Sequence, residues 1–390
     1  MKKRIAILLA TKPQDGGQHQ YALLIVKCLL DRLDEYDLLA FCGNDFWKEW
    51  CEERTIRHLR YPIPAYSMRE QQFNEQHPFW ARLYYTYMTA FGRKVMEEKI
   101  DLLFSTHQGI FLPNYKVKII APVHDLMHRY ESRFPEVRES YASREITMKC
   151  LARYAACVLV DSNLGRKQFR ESYGVSKHSQ LRIERLPYVV PEYIWSGQEE
   201  CIEVPDKYIF YPAQFWKHKN HINLLKAIRL LKDDIVDLHL VLVGSEKNNC
   251  KDIKQYISHN NLQKNVTILG FVSNENVIYL YRHAVGLIMP SYFGPTNIPP
   301  LEAMALGCPV AVSRKYAMPE QVGKAGLLFD PDSPEEIAEC IRTLWLDNKL
   351  RHKMQKYGTR RVQKWTNHEF GEKLCGIVNE IIVEKKKGKM

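Results

Sequence analysis

The sequence predicts an α/β protein made of two successive doubly wound parallel sheets, and three observations lead there. Short apolar runs alternate with amphipathic stretches along the whole chain, which is the pattern of strands and their covering helices. The alternation comes as two series, separated by a less regular stretch after Leu186-Pro187 that carries Pro191 and Pro205. The chain of 390 residues is long enough for two cores, since a domain takes roughly 100–200 residues.

In the first series the expected strands are Ile5–Ala10, Asp37–Cys42, Leu102–Ser105, Val117–Ala121 and Cys157–Asp161. In the second they are Tyr208–Pro212, Leu238–Gly244, Val266–Gly270, Ala284–Met289, Pro309–Ser313 and Leu327–Phe329. Residues 1–190 and 191–390 are therefore expected to form two Rossmann-like domains, with a last helix that can pack back on the first. Ligands of such sheets lie beyond the carboxyl ends of the strands, so two facing domains place a site in the cleft between them. Residues 61–94 break the pattern. They are rich in aromatic and basic groups, among them Tyr66, Phe73, Trp80, Arg82, Tyr84 and Lys94, and read as an inserted helical segment. Such a segment can lie on a headgroup surface or line an acceptor groove; it can equally pack its aromatic stripe on the N-terminal sheet.

Composition narrows the function classes. Hydrophobic residues are 45% and charged residues 26%, which excludes a disordered chain, a collagen-like repeat and a disulfide miniprotein. The net charge of +11 favours an anionic partner without naming it. Ten cysteines stand singly with no CxxC pair, as expected of buried free thiols in a reducing compartment. The basic start Met1–Arg4 leads into an apolar run shorter than a signal-peptide core, and no window approaches the roughly 18 apolar residues of a membrane span. Any membrane contact must then be peripheral; the tail Glu384–Lys389 reads as a solvated end able to add weak attraction to anionic lipid.

Four stretches could carry chemistry. After the first strand, Gly16-Gly17 opens a helical run near His19, where backbone N–H groups at a helix start attract phosphate; a plain strand-to-helix turn would look the same. The stretch has neither the GxGxxG spacing of dinucleotide folds nor a P-loop. His124-Asp125 stands at the carboxyl end of a strand, where an imidazole can bond a sugar hydroxyl or take a proton, or simply bond backbone. Ser162-Asn163 is most simply a helix N-cap. Lys217 and Lys219, in Gln214-Phe215-Trp216-Lys217-His218-Lys219-Asn220, precede a helix around Leu224–Leu231, and cations there oppose the helix dipole unless an anion joins them. In the stretch Pro290–Val310 a Gly/Pro loop is expected to expose the backbone amides of Thr296 and Asn297, before a helix with Glu302 in its first turn. That carboxylate can accept both hydroxyls of a ribose, or merely complement the dipole.

Taken in order, these parts resemble the retaining GT-B glycosyltransferases of family 4, the glycosyl transferases group 1. The ordered set runs from the Gly16-Gly17 loop through His124-Asp125, Lys219-Asn220, Val241–Gly244 and the loop from Pro290 to Pro309 to Pro319-Glu320 and Ala325–Pro331. The resemblance implies an N-terminal acceptor-binding domain and a C-terminal nucleotide-sugar-binding domain. It makes Glu302 the ribose-binding carboxylate and Lys219 a ligand of the diphosphate. Gly16 and Gly17 would contact the diphosphate, and His124 would bond the transferred sugar. Gln214, His218, Gly294, Thr296, Asn297 and Ile298 complete the implied donor-binding set.

Two departures stand out. The family's glutamate eight positions before Glu302 is Gly294 here, and its usual arginine before the lysine is His218. The Phe293–Asn297 form resembles a variant subgroup in which Thr296 and Asn297 take over sugar and phosphate contacts.

The implied reaction moves a sugar, hexose or deoxyhexose and for example mannosyl, from a nucleotide diphosphate sugar to a hydroxyl of a saccharide or lipid-linked acceptor with retention. No cofactor and no metal are expected, since protein groups hold the diphosphate. The domains would close over the donor. The implied setting is cell-surface polysaccharide or lipopolysaccharide synthesis in the cytoplasm, at the inner face of an anionic membrane, with no nucleic-acid partner. Competing readings are a GT-B nucleotide-sugar epimerase, a glycogen-synthase-like enzyme, a catalytically inactive scaffold, or a basic binding protein for nucleic acid using the aromatics of residues 61–91.

Overall fold

The computed structural model describes residues 2–62, 67–108, 116–176, 179–294 and 296–383. Tyr66, Pro295 and the tail 384–389 lie outside the described residues. Two compact units are present, one of Met1–Ser132, Val137–Pro187 and Asn367–Met390, the other of Arg133–Glu136 and Tyr188–Thr366. The C-terminal helix Asn367–Val383 thus belongs to the first unit, where the Tyr36 hydroxyl donates to Asn379 Oδ1 at 2.7 Å.

The first unit holds seven parallel strands: β1 (Lys3–Leu9), β2 (Tyr36–Cys42), β3 (His58–Arg60), β4 (Leu102–Ser105), β5 (Lys118–Val123), β6 (Cys157–Val160) and β7 (Arg182–Arg185), in the order β3-β2-β1-β4-β5-β6-β7. The five strands read from apolar runs are all found. The two additional ones, β3 and β7, form the sheet edges, and their sequences HLR and RIER are charged. An edge strand is not enclosed on all sides and is protected by charge, so it has no continuous apolar run to betray it.

The second unit holds β8 (Ile209–Pro212), β9 (Leu240–Val243), β10 (Val266–Gly270), β11 (Gly286–Met289), β12 (Val310–Ser313) and β13 (Gly326–Phe329), all parallel, in the order β10-β9-β8-β11-β12-β13. All six are strands expected from the sequence. Strands β8, β9, β11 and β12 are buried along nearly their whole length, as a sheet covered on both faces requires. The helix His221–Leu231 buries Leu224, Leu225, Ala227, Ile228 and Leu231 at helical spacing against this sheet. Each fully buried leucine there contributes about 1.5–3 kcal/mol.

Helix starts follow the capping chemistry. Ser162 is the N-cap of Asn163–Ser172, its hydroxyl accepting from the Gly165 N–H at 3.0 Å, so this serine is structural. Ser273 and Ser333 cap their helices in the same way, each such cap being worth about 1 kcal/mol. Eight of the ten cysteines are buried free thiols, Cys340 is half-buried and Cys201 exposed. The stretch 61–94 is helical over Met68–Gln76, Pro78–Leu83 and Ala90–Glu97, with a π-helical turn at Tyr84–Met88.

Candidate functional site

In the second unit the strand order reverses between β8 and β11, which pair directly, Gly286 with Ile209 and Leu287 with Phe210. The chain leaves the carboxyl end of β8 into the loop 213–219 and the carboxyl end of β11 into the loop 290–298. Both candidate motifs of this unit therefore flank one switch point, the place where a doubly wound sheet opens a crevice.

The loop after β8 ends in a 3-10 turn, Lys217–Lys219. Asn220 follows in the left-handed region (φ 60°, ψ 36°), which asparagine tolerates better than most residues. Its buried Nδ2 donates to the carbonyls of Pro290 at 3.1 Å and Pro331 at 2.7 Å, tying this loop to the end of β11. Lys219 is half-buried, and its carbonyl accepts from the Tyr211 hydroxyl at 2.9 Å. Lys217 differs: its exposed ammonium lies 3.8 Å from Asp252. Gln214 Oε1 accepts from the Trp216 indole at 2.9 Å.

His218 is buried, its ring stacked on Phe293 with centroids 3.7 Å apart and 13° between the planes. Its Nδ1 lies 2.5 Å from Glu136 Oε1, and its backbone N–H donates to the same oxygen at 3.0 Å. Asn248 Nδ2 donates to Glu136 Oε2 at 3.0 Å. Burial pushes the Glu136 carboxyl up, but the hydrogen bonds from the His218 ring and backbone and from Asn248 outweigh it and bring it down to about 2.

The loop after β11 is shaped by its own side chains. At Gly294 φ is +86°, and a Cβ there would lie 2.5 Å from the Thr296 carbonyl oxygen and 2.9 Å from Asn297 Nδ2. Glycine is required here, and a glutamate does not fit this conformation. The expectation that the Asn297 amide is exposed is corrected: it donates to Gln321 Oε1 at 3.0 Å, while Asn297 Nδ2 donates to the Phe293 carbonyl at 2.9 Å. A half-buried amide without water needs a protein partner, and helix Met318–Val322 supplies it through Gln321. Asn297 thus shapes the loop. Thr296 is half-buried, and Ile298 is the N-cap residue of helix Pro299–Ala305.

Glu302 lies in the first turn of that helix, and both its oxygens are engaged: the Tyr193 hydroxyl donates to Oε1 at 2.7 Å and the Tyr281 hydroxyl to Oε2 at 2.8 Å. Burial pushes its carboxyl above the ordinary value, against the two tyrosine bonds that lower it. A first-turn glutamate that only complemented a dipole would be solvated, whereas this one is 8% exposed and held by two phenols. Each oxygen retains lone-pair capacity for a further donor.

The remaining candidates belong to the first unit. Gly16 (φ +59°) caps the helix Gly17–Leu30, and a Cβ on it would meet nothing within 4 Å, so the backbone is open to approach from solvent. The histidine of the His124-Asp125 pair packs edge-on against Tyr21 with centroids 5.0 Å apart. Burial, helped by the neighbouring His107 and Arg144 and opposed by Asp125, brings its imidazole down to about 4, so it is neutral at pH 7. Asp125 has structural partners: Oδ1 accepts from the Met127 N–H at 2.9 Å and pairs with Arg144 at 3.1 Å.

Sequence reasoning missed Glu136, Tyr193, Tyr281 and Gln321. No spacing signal connects them to the motifs they support: Glu136 is 82 positions from His218, and Tyr193 is 109 from Glu302.

Residues 198–361 match the family described as Glycosyl transferases group 1. The match covers the second unit and leaves the first outside it. The O-antigen chain mannosyltransferase B of Escherichia coli is 30% identical over 168 residues, covering 41% of this chain and 44% of that protein. The chain therefore spans under half the length of this curated relative. Among solved structures, a glycosyltransferase from Rickettsia africae superposes with a TM-score of 0.72 at 14% identity, over 98% of this chain and 100% of that one. Anabaena Alr3699/HepE in complex with UDP gives 0.67 at 15% identity, over 97% and 100%. At such identities the likeness is one of fold, and the fold of two parallel-sheet units is that of the GT-B glycosyltransferases.

Proposed function

We propose that this chain is a group 1 glycosyltransferase that transfers a hexosyl group, mannosyl being the first candidate, from a nucleotide diphosphate sugar to a hydroxyl of a saccharide or lipid-linked acceptor, with retention and in the cytoplasm. The observation that carries the reading is Glu302, a buried carboxylate fixed by Tyr193 and Tyr281 in the first turn of the helix that follows the β11 loop. In this reading it accepts the ribose hydroxyls, which suits an acceptor group already oriented by two donors. The mannosyltransferase from Escherichia coli and the UDP complex of the Anabaena structure support a sugar nucleotide as donor.

The chemistry asks little of the protein beyond charge placement. As the glycosidic bond breaks, the sugar becomes oxocarbenium-like and negative charge grows on the departing diphosphate. Lys219 and the backbone at Gly294, Thr296 and Ile298 stabilise that charge, so no resident metal is invoked. Gly16 and Gly17 approach the diphosphate through backbone. His124, neutral at pH 7, bonds a hydroxyl of the transferred sugar, and the departing phosphate takes the acceptor proton.

A thermal-shift panel of UDP-, GDP-, dTDP- and CMP-sugars identifies the donor, because a ligand that binds only the native state raises its melting temperature. With that donor, Glu302→Ala and Lys219→Ala each reduce turnover by orders of magnitude while the fold is kept. Rates like the wild type in both variants refute the assignment.

A further inference from the structure

The segment 68–88 has one buried face and one exposed apolar face. Asn74, Ala81, Tyr85 and Thr86 point inward and are at most 1% exposed. On the other side Phe79 is 66%, Trp80 64% and Met88 68% exposed. Trp80 and Met88, with Phe73, Leu83, Tyr84 and Tyr87, form an almost wholly apolar surface around a hollow of about 540 Å³, and Phe79 packs edge-on against Trp80 beside it. Large apolar patches on a soluble surface mark interaction sites, whereas isolated exposed apolar residues do not.

This face is built, not frayed. The π-helical turn at Tyr84–Met88 widens the helix where Tyr84, Tyr87 and Met88 emerge, and such turns are concentrated at functional sites. Its carbonyls are secured from behind: the Thr89 hydroxyl donates to the Tyr85 carbonyl at 2.7 Å, and Gly92 packs so closely that a Cβ would lie 2.7 Å from the Thr86 carbonyl oxygen. Cations stand at the rim. Lys116 lies over the Tyr87 ring and donates to its hydroxyl at 2.7 Å, and the exposed Arg93 donates to the Met88 carbonyl at 2.8 Å.

We propose that the outer face of residues 73–88 is a docking surface for an anionic lipid bilayer. Trp and Tyr rings suit the boundary between headgroups and acyl chains, and Lys116 and Arg93 at the edge of the apolar patch match anionic headgroups. A second copy of this chain fits less well, because a two-fold contact through the same face would set these cations against their own kind. Among the described residues no helix is long and apolar enough to cross a membrane, so the contact is peripheral, and it stands independently of the transferase reading.

The test uses the full chain and vesicles of phosphatidylcholine, alone or with about a third phosphatidylglycerol. Wild type is expected to sediment with the anionic vesicles, and Phe79→Ala with Trp80→Ala is expected to weaken that affinity more than about tenfold. Brominated acyl chains are expected to quench the wild type, and Trp80→Phe to lose most of that quenching while still binding, although six other tryptophans remain. Met88→Glu, at the most exposed position of the patch, covers the case in which the double variant fails to fold, and should weaken binding similarly. Absence of vesicle binding by wild type, binding unchanged in folded Phe79→Ala/Trp80→Ala and Met88→Glu variants, or a stable dimer that these substitutions dissociate each overturn the proposal. None of these readouts involves donor turnover.

Discussion

Asn220 is where the candidate site depends most directly on a single side chain, and Asn220→Ala removes two things at once. The amide Nδ2 donates to the buried carbonyls of Pro290 and Pro331, and two such bonds are worth about 2 kcal/mol together. The residue also holds φ 60°, ψ 36°, where alanine pays about 1 kcal/mol that asparagine largely avoids. The expected loss is about 3 kcal/mol, or roughly 6–12 °C in melting temperature for a unit of this size. Asn220→Gly separates the contributions: glycine accepts the left-handed conformation, so this variant should lose only about 2 kcal/mol. Calorimetric melts and urea unfolding of the full chain with the two variants give the comparison. Because Lys219 precedes the residue and Pro290 opens the β11 loop, both variants should also weaken nucleotide-induced stabilisation. Two variants within about 0.5 kcal/mol of the wild type would refute the role of the amide, and equal losses in both would refute the backbone contribution.

Three further outcomes follow from the same geometry. Tyr193→Phe and Tyr281→Phe each remove one donor from buried Glu302, which costs about 1.5–3 kcal/mol for a charged acceptor and raises its carboxyl further; donor affinity should fall and its acid limb move to higher pH, while an unmoved pH profile would exclude the tyrosines from that role. Gly294→Glu, which introduces the glutamate of the pattern that the sequence resembles, should destabilise the protein and lower activity, since φ is +86° and the Cβ would meet the Thr296 carbonyl at 2.5 Å; increased turnover would show that the loop adapts. Glu136 falls from 4.5 to about 2 in the folded protein, so it adds stability that is complete above pH 4.5 and is lost as pH falls through its folded value; Glu136→Gln should flatten the stability profile between pH 5 and 2, and parallel acid melts for both proteins would count against the pairing.

How much of this was legible in the sequence depends on whether a feature is local. Strands such as Leu240–Val243 are read easily because both faces are covered and every side chain must be apolar. The edge strands His58–Arg60 and Arg182–Arg185 escape because one side of each faces away from the sheet. Within the site, Glu302, Lys219 and Asn220 are legible because each sits at a strand-to-helix junction with its own turn chemistry. Their supports are not, because Tyr193, Tyr281 and Glu136 reach them across long loops of chain, and nothing in local composition registers a contact closed by tertiary packing. The exposed amide expected at Asn297 fails for the same reason: Gln321, 24 positions away, takes it.

The two departures from the pattern that the sequence resembles, glycine at 294 and histidine at 218, form one arrangement. A flat imidazole can lie against the Phe293 ring at 3.7 Å, and Gly294 is the next residue, turning the chain at φ +86° so that the loop continues past that stack. A glutamate at 294 would require another backbone conformation and would carry Phe293 away from His218. The negative charge absent from the loop is nevertheless present beside it, on Glu136, bonded to the ring nitrogen and backbone of His218. Glycine, histidine, phenylalanine and the distant glutamate should therefore be energetically coupled. A double-mutant cycle of Phe293→Leu with His218→Arg tests this directly: a coupling above about 0.5 kcal/mol marks one unit, and additivity would mean that the two departures are unrelated.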